Sequence, residues 1–395
     1  MDHLQTSEER KARWYSKVWP RYARVVASEK WHDVLAQEGL NSPSDEQPIV
    51  YSLTMDTIRH DHGGQLLRQV LEEHGFVVIS GLLDAQECSK ALELAQDWFD
   101  AATFAEKQDL PEALEGGMMP FYGSFHSTFA WYVRSRPQLA QVFEAFYGTS
   151  ELLASLDGIV LWPKSRRTKT DAGWFHVDQN PETKPGFCSL QGLVNLLPTT
   201  PETGGNAIVR GSHKLFPDHY LSNDHQPSCF YTDRLKELDG DDWMEVDPLD
   251  HVLLKPNDVI TCLLNAGDFL LWDSRTVHCS FPSRQDHDHQ NSGGAKDSQR
   301  MHPWIRAATT ITMMPKKDVS PRFLKLRRDS VSTFRTQTHW VNKARSLGEE
   351  LHIAVEKEQG RINAILYWQT ITKKRVLLDY DQLDSCQRAL VDGND

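Results

Sequence analysis

The stretch Trp174-Phe175-His176-Val177-Asp178 (WFHVD, 174–178) alternates apolar and polar side chains from Phe175 onward, which predicts a strand. Side chains two apart on a strand point to the same face. His176 and Asp178 can therefore offer a ring nitrogen and a carboxylate oxygen to one metal ion. The H-x-D pattern is short, however. Similar spacings at 60–62 and 286–289 lie in polar surroundings that favour exposed loops.

A second stretch, 267–280 (GDFLLWDSRTVHCS), combines a turn, an apolar run and another alternating segment that places His278 and Ser280 on one face. Two histidines and one carboxylate on one face of an octahedron leave three positions open, which is typical of Fe(II) sites that activate O2. A barrel that folds back on itself would bring His278 to the H-x-D strand. Taken alone, His278 is better explained as a buried, hydrogen-bonded core histidine.

The region around these stretches, from about 150 to 315, is rich in short β-type runs separated by Gly, Pro and Asn turns. Short strands at this spacing predict a sandwich or a barrel. The runs are GIVLW (158–162), GWFHVD (173–178), SLQGLVNLL (189–197), NAIVRG (206–211), DHVLL (250–254), DVITCLL (258–264), DFLLWD (268–273), TVHCSF (276–281) and RAATTITMM (306–314).

The flanking regions are predicted to be helical. Apolar residues recur at helical spacing before residue 41, Val25 and Val26 among them, and 66–74 predicts another helix. A short apolar strand follows at 76–79. The helix predicted at 84–99 begins with a capping box, because Asp84 is followed three residues later by Glu87.

We therefore divide the chain into three regions: a helical N-terminal extension (1–75), a β-rich core (76–315) and a helical C-terminal region packing on the core (316–395). Within the core, the polar segment 282–303 is predicted to be an inserted loop. The C-terminal helices are predicted at 330–346 and 351–365.

Composition narrows the classes of function. The chain has 395 residues, of which 39% are hydrophobic and 25% charged, as in an ordinary globular protein. The net charge of −12 argues against general binding to nucleic acid or anionic membranes. The six cysteines form no CxxC pair, which favours reduced thiols. With no apolar leader or long apolar stretch, we expect a cytoplasmic protein, without excluding an organelle.

Five ordered blocks resemble the phytanoyl-CoA dioxygenase-like (PhyH) family, and together they span about 75 to 315. The blocks are HGFVVISGLLDAQECSKALELAQDWF (74–99), GWFHVDQNP (173–181), TGGNAIVRGSHK (203–214), GDFLLWDSRTVHCS (267–280) and WIRAATTITMMP (304–315). The resemblance implies a mainly β protein with flanking helices and a double-stranded β-helix (jelly-roll, cupin-like) core.

The resemblance also implies that His176, Asp178 and His278 bind Fe(II), and that Arg306 binds the distal carboxylate of 2-oxoglutarate. A planar guanidinium suits a carboxylate through two parallel hydrogen bonds. Ser280 could donate to the same cosubstrate. Arg306 lies 28 residues after His278, about twice the usual family spacing, unless the insert loops out. The fallback candidates are Arg275 and Arg284.

Four further residues are candidates for the cavity. Gln191 and Asn195 share a strand face and could contact 2-oxoglutarate or substrate, or be satisfied polar groups of the barrel wall. Trp174 and Arg167 are candidates for binding substrate, although core packing and a solvated loop explain them as well. We assign His213 a structural role in its turn.

The resulting prediction is a dioxygenase that uses Fe(II), 2-oxoglutarate and O2 to oxidise an unactivated C–H bond of a small-molecule metabolite or natural product, releasing succinate and CO2. Hydroxylation, desaturation and oxidative cyclisation all remain open. One alternative is an acyl-CoA 2-hydroxylase of the phytanoyl-CoA type. Another is a non-catalytic jelly-roll binding protein. We expect a small-molecule partner, no nucleic acid and no membrane; the sequence does not decide between monomer and dimer.

Overall fold

The computed structural model describes residues 51–60, 62–102, 123–164, 174–200, 203–222, 231, 233, 235, 242–247, 250–255, 258–281, 303–334, 337–343 and 377–393, and the backbone of 23–26. The strands are β1 (Ala23–Val26), β2 (Ser52–Thr54), β3 (Phe76–Ser80), β4 (Leu152–Ala154), β5 (Ile159–Pro163), β6 (His176–Val177), β7 (Leu190–Asn195), β8 (Gly205–Val209), β9 (Met244–Glu245), β10 (Val259–Leu263), β11 (Phe269–Asp273), β12 (His278–Phe281) and β13 (Trp304–Pro315). The helices are α1 (Met55–Arg59), α2 (Gly63–His74), α3 (Ala85–Ala102), α4 (Thr128–Arg134), α5 (Pro137–Tyr147), α6 (Asp218–Leu221), α7 (Pro321–Ser332) and α8 (Ser385–Asp392). Short 3₁₀ helices occupy Ser124–His126, Ser212–Leu215, Lys316–Asp318 and Tyr380–Gln382.

The strands form two sheets. The first has the order β1-β10-β8-β12-β6-β9, and the second β2-β3-β11-β7-β13-β4, with β5 also pairing with β13. From β5 to β8 the chain crosses from one sheet to the other at every step, and it does so again from β10 to β13. Antiparallel strands that alternate between two facing sheets make a double-stranded β-helix, so the jelly-roll expectation is confirmed.

Apolar side chains fill part of the space between the two sheets and also cover the outer face of each sheet. In β3, Phe76 and Val78 point between the sheets, whereas Val77 and Ile79 point outward beneath the helices. A strand that is buried on both faces is expected to consist of consecutive apolar residues, and β3 has such a sequence. Because large side chains fill both faces, the strands form a rigid wall on which polar side chains can be held in place.

The helices α2 to α5 cover the second sheet. Leu67, Trp98, Phe129 and Phe143, from the four helices, pack in one buried cluster with residues of β3 and β11 such as Phe269. Fully burying one such side chain contributes about 1.5–3 kcal/mol. The capping box of α3 is present as predicted. The Glu87 amide donates to Asp84 Oδ1 at 2.8 Å, and the Asp84 amide donates to Glu87 Oε2 at 3.1 Å.

Three local predictions were wrong. Residues 23–26 form β1, parallel to β10, because pairing at a sheet edge prevailed over local helical spacing. The run at 250–254 is a turn: Asp250 Oδ1 accepts from the Val252 and Leu253 amides, which ends any strand. The helix placed at 330–346 instead begins at Pro321, in the favoured first position.

The proposed division of the chain into three regions remains a proposal, since large parts of 1–50 and 344–376 lie outside the described residues. The insert at 282–303 is described only at its last residue, and the helix predicted at 351–365 falls outside as well. Among the described cysteines, Cys88, Cys188, Cys262, Cys279 and Cys386 are free thiols. Within the described ranges, no helix is long and apolar enough to span a membrane.

Candidate metal centre

Strands β6 and β12 bring the two predicted histidines side by side. His176 pairs directly with His278 across the antiparallel ladder, and their ring centroids are 4.3 Å apart. The neighbours Phe175, Val177 and Cys279 belong to the cluster on the outer face of this sheet. Alternation along each strand therefore sends both imidazoles into the space between the sheets.

Asp178 completes the group. Its Oδ1 lies 3.7 Å from His176 Nε2, and its Oδ2 lies 3.4 Å from His278 Nε2. One ligand atom from each of the three residues can be chosen so that all lie within 4.8 Å of one another. Ligand atoms about 2.1 Å from an ion and at right angles lie about 3 Å apart. The three side chains thus have the spacing of one face of a metal site.

Backbone hydrogen bonds fix the tautomer of both histidines. His176 Nδ1 lies 3.2 Å from the Trp174 carbonyl, and His278 Nδ1 lies 2.9 Å from the Thr276 carbonyl. A carbonyl only accepts, so each Nδ1 carries a proton, and in the neutral ring Nε2 then keeps its lone pair. Both lone pairs face Asp178. Such outer hydrogen bonds are what orients metal-binding histidines in proteins.

The electrostatics of the group suit a cation. Burial, together with the nearby His278, lowers the pKa of His176 to about 4, so this imidazole is neutral at neutral pH. Burial alone would raise the pKa of Asp178. The imidazoles of His176, His278 and His339 outweigh it and hold that pKa well below its usual range. Two neutral imidazoles and one ionised carboxylate are the protonation states that a divalent metal requires.

Gln191 holds the carboxylate. Its Nε2 donates to Asp178 Oδ2 at 2.9 Å, and its Oε1 accepts from the Trp272 indole at 3.0 Å. The Trp272 ring lies 5.0 Å from the His278 ring. Gln191 therefore lies next to the metal ligands, and its contact is with the Asp178 carboxylate. Its partner Trp272 was not predicted.

Two further tryptophans flank His176. Trp174 stacks on its ring at 4.7 Å with an interplanar angle of 4°, and Trp243 lies 5.6 Å away with its own surface 47% exposed. Trp174 is packed against the outer cluster of the sheet, so it positions the His176 ring. The sequence did not single out Trp243, because a lone aromatic residue beside Asp242 carries no periodic signal.

Arg306 on β13 reaches across to the other sheet. It donates to the Gly205 carbonyl at 3.2 Å and to Asn206 Oδ1, and its Nη1 lies 3.5 Å from Ser280 Oγ. The guanidinium lies over the Trp162 ring at 4.7 Å. Ser280 is two residues from His278 on the same strand, so this arginine lies in the same space as the metal ligands.

Arg306 is a buried cation without an acidic partner among the described residues. Burial lowers its pKa to about 10, and its Nε is buried with no hydrogen-bond partner in the described part of the chain. An unpaired buried charge is costly, so a bound anion would stabilise it. Asn206, which orients this arginine, was missed. The available signal was a polar residue inside an apolar strand.

Two further candidates, Asn195 and Arg275, form hydrogen bonds and an ion pair with other groups. The amide of Asn195 donates to the Leu197 and Asn265 carbonyls, and its oxygen accepts from Thr199. These bonds are those of a hydrogen-bonded polar group of the barrel wall, which was one of the two expectations for Asn195. Arg275 pairs with Asp273 at 2.6 Å, which uses its charge.

His213 does not belong to the group of potential metal ligands found among the described residues. Its Nε2 is 3.0 Å from the Glu72 carbonyl, and since a carbonyl only accepts, Nε2 is the donor. This bond to the end of α2 is in keeping with the structural role expected for His213. Arg167 and Arg284 lie outside the described residues.

The fold and the site together define the class of protein. It has a double-stranded β-helix fold, and two histidines and an aspartate lie together between its sheets. The profile of the phytanoyl-CoA dioxygenase (PhyH) family matches residues 71–289, which is more than half of the chain. The protein belongs to this family, a family of oxidoreductases by its name.

A curated relative and several solved structures are also similar. The Ava biosynthesis cluster protein O of Aspergillus versicolor is 29% identical over 273 residues, covering 65% of this chain and 78% of that protein. The hypothetical protein JW0805 of Escherichia coli, solved at high pH, is 12% identical with a TM-score of 0.53, covering 100% of this chain and 98% of that chain.

The epimerase SnoN, solved with Fe3+, alpha-ketoglutarate and nogalamycin RO, is 19% identical with a TM-score of 0.41, covering 65% of this chain and 85% of that chain. The JW0805 match shows the fold alone. The SnoN match is weaker, and its ligands are properties of that protein.

Proposed function

We propose that this protein is an Fe(II)- and 2-oxoglutarate-dependent oxygenase that oxidises a C–H bond of a small organic molecule. The observation that carries the proposal is the placement of His176, Asp178 and His278 between the sheets, with Arg306 in the same space and no acidic partner for it among the described residues. Two imidazoles and one carboxylate on one face favour iron, because open positions remain for a chelating cosubstrate and O2.

The residues would divide the work as follows. His176, Asp178 and His278 would hold the iron. Arg306, supported by Asn206, would bind the distal carboxylate of 2-oxoglutarate, with Ser280 donating beside it. When bound, iron and 2-oxoglutarate supply the oxidation in which O2, 2-oxoglutarate and a C–H compound give succinate, CO2 and the oxidised product.

The protein's own groups orient the metal ligands and exclude water from the site. The backbone carbonyls of residues 174 and 276 orient the two imidazoles, and Gln191 orients the carboxylate. The apolar residues between the sheets, Phe76, Leu193 and Leu270 among them, exclude water from the space behind the site. A dry site of fixed geometry is what such chemistry needs from the protein.

The substrate is proposed to be a metabolite or natural product. The name of the similar Aspergillus protein, 29% identical, places it in a biosynthesis cluster, which supports this choice. The family name favours the second candidate, an acyl-CoA hydroxylase. The net charge of −12 weakens that candidate, since the CoA phosphates are best met by a basic rim.

The first experiment measures the metal and the cosubstrate before any substrate is known. Anaerobic addition of Fe(II) and 2-oxoglutarate to the full chain should give a visible charge-transfer absorption. His176→Ala and Asp178→Ala should abolish it while the protein stays folded. The control is His60→Ala, an exposed histidine of the similar short sequence at 60–62. An absorption that survives Asp178→Ala would refute the ligand assignment.

The second experiment separates the functional candidates. Acyl-CoA thioesters and free metabolites are each screened for succinate formation and for products detected by mass spectrometry. Turnover with acyl-CoA alone would replace the small-molecule proposal by the acyl-CoA one. If the iron complex forms but no compound stimulates succinate release above the unstimulated rate, the protein is a binding module.

A further inference from the structure

The half-exposed ring of Trp243 lies directly beside the metal centre. Its centroid is 5.6 Å from that of the His176 ring, which is itself buried. Trp243 immediately precedes β9, the edge strand next to β6 in the first sheet. A single exposed apolar side chain needs no explanation by itself. The contact with an imidazole of the metal centre makes this one a candidate for binding a ligand of the site.

The register of β9 turns Trp243 to the metal side of the sheet. Met244 pairs with Val177, and both side chains belong to the cluster on the outer face. Because side chains alternate along a strand, the neighbouring Trp243 points to the inner face, as His176 does. Continuing the antiparallel register by one residue sets Trp243 across from Asp178.

The metal centre is most open to solvent at Asp178. The Asp178 side chain is 17% exposed, against 6% for His176 and 7% for His278. The Trp243 ring stands on the same side and is accessible over about half of its surface. An organic molecule that approaches the metal centre from this side therefore contacts the Trp243 ring.

The residue before Trp243 holds the backbone in place. Asp242 is buried, and its carboxylate pairs with Lys184 and, at 2.9 Å, with Lys343. The same carboxylate accepts from the Asn180 amide at 3.4 Å, in the loop that follows the aspartate of the metal centre. Because these contacts fix the backbone beside the ring, less conformational freedom is lost when a ligand packs on it.

An indole ring presents a large flat face to a ligand. Two aromatic rings in offset-stacked or edge-to-face contact gain more stability than the burial of their apolar area alone provides. A straight alkyl chain on the same indole gains only from that burial. An accessible indole beside the metal centre therefore favours ligands that contain an aromatic ring over ligands that contain only alkyl chains.

We propose that the organic substrate packs on the Trp243 ring, and that it carries an aromatic ring close to the C–H bond that is oxidised. This assignment rests on the proposed function, because it concerns the substrate of the same site. Trp243 is a specificity-determining residue, and it disfavours substrates whose only apolar part is a straight acyl chain.

The test uses two probes, 2-phenylethanol and 1-octanol, which have the same number of carbons and one hydroxyl each, but only the first has a ring. Their dissociation constants for the full-length, metal-free protein are measured by ligand-detected NMR. A stacking gain of about 0.5–1.5 kcal/mol corresponds to roughly a two- to twelvefold change in affinity. Trp243→Leu, which keeps an apolar side chain, should weaken 2-phenylethanol by that factor and leave 1-octanol unchanged. Trp243→Phe keeps a ring and should retain most of the affinity for 2-phenylethanol.

The control is Phe187→Leu. Phe187 is a similarly exposed aromatic residue, but its ring packs on Phe146 of α5, over the outer face of the second sheet. This variant should leave both affinities unchanged.

Failure of 2-phenylethanol to bind, equal losses for the two probes in Trp243→Leu, or no loss in that variant would each overturn the proposal. Because no metal is present, these results are independent of iron binding. A protein that forms no iron complex but still binds 2-phenylethanol through Trp243 would refute the proposed function alone.

Discussion

At the scale of single residues, the site depends on the group that holds each metal-binding side chain, a backbone carbonyl for each histidine and the Gln191 amide for Asp178. Asp178 lies 17% exposed in its side chain, and its orientation depends on Gln191. Because Gln191 occupies Oδ2, Oδ1 is the oxygen left for a metal ion. Removing an outer partner of a metal ligand typically costs about 10–100-fold in metal affinity.

Gln191→Leu should therefore weaken Co(II) binding by about ten- to a hundredfold, measured by titration of the cobalt absorption. The variant also leaves the buried Trp272 indole N–H without its acceptor, which is expected to lower stability. Unfolding of the metal-free protein is therefore measured in parallel. Trp272→Phe keeps a ring against His278 and should cost metal affinity only a few-fold. Cobalt affinity unchanged in Gln191→Leu would remove Gln191 from the site.

Arg306 is the residue through which cosubstrate binding can be tested. Arg306→Ala should raise the 2-oxoglutarate concentration needed for half-saturation by about a hundredfold, the equivalent of roughly 3 kcal/mol for a lost charged hydrogen-bonded pair. Fe(II) binding should remain. Arg275→Ala is the control, because Arg275 is already paired with Asp273. A 2-oxoglutarate requirement that rose only in Arg275→Ala would move the role to that residue.

At the scale of elements, Gly75 joins α2 to β3 at a point where no side chain fits. Its φ is +83°, and a Cβ would lie 2.5 Å from His213 Nδ1 and 2.8 Å from Thr276 Oγ1. The Gly75 carbonyl accepts from Thr276 Oγ1, which ties this helix end to the segment before His278. Packing at this helix end thus bears on the position of β12.

Gly75→Ala is expected to destabilise the protein by about 3 kcal/mol, measured by urea unfolding, since strain and overpacking add. Gly148 is the matched control. It ends α5 with a φ of +71°, and a Cβ placed there would have nothing within 4 Å. Gly148→Ala should cost about 1 kcal/mol, from backbone strain alone. Equal losses in the two variants would contradict the close packing at Gly75.

The strands also show which structural features could be predicted from the sequence and which could not. The apolar runs of β3 and β11 were predictable because both of their faces are buried. The two-residue strands β6 and β9 owe their assignment to pairing, which joins His176 to Glu245. Asp250 interrupts a run that looked like a strand because its side chain caps the backbone beside it.

At the scale of the whole molecule, Arg327 joins the C-terminal region to the core. This fully buried side chain donates to the carbonyls of Ala154, Val341, Leu390 and Val391. Burial, and then the nearby Arg134, lower its pKa to about 9. One side chain thereby connects β4, α7, α8 and the segment 337–343.

Arg327→Met should expose the C-terminal region to proteolysis and cost about 3–5 kcal/mol, because several buried carbonyls lose their donor. Arg328→Met is the control. Arg328 pairs with Asp392 at 2.6 Å but is 51% exposed, so its loss should cost at most about 1 kcal/mol. Limited proteolysis with mass spectrometry locates the cuts. Equal protease resistance in wild type and Arg327→Met would show that Arg327 does not hold this region.

The sequence by itself determined the alternation of the strands, the shared face of His176 and Asp178, and the shared face of His278 and Ser280, because a strand repeats every two residues. Only the tertiary structure decided that β6 pairs with β12, that Gln191 donates to Asp178, and that the Asn195 amide donates to the carbonyls of Leu197 and Asn265. Those relations join residues far apart in the chain, and no local periodicity encodes them.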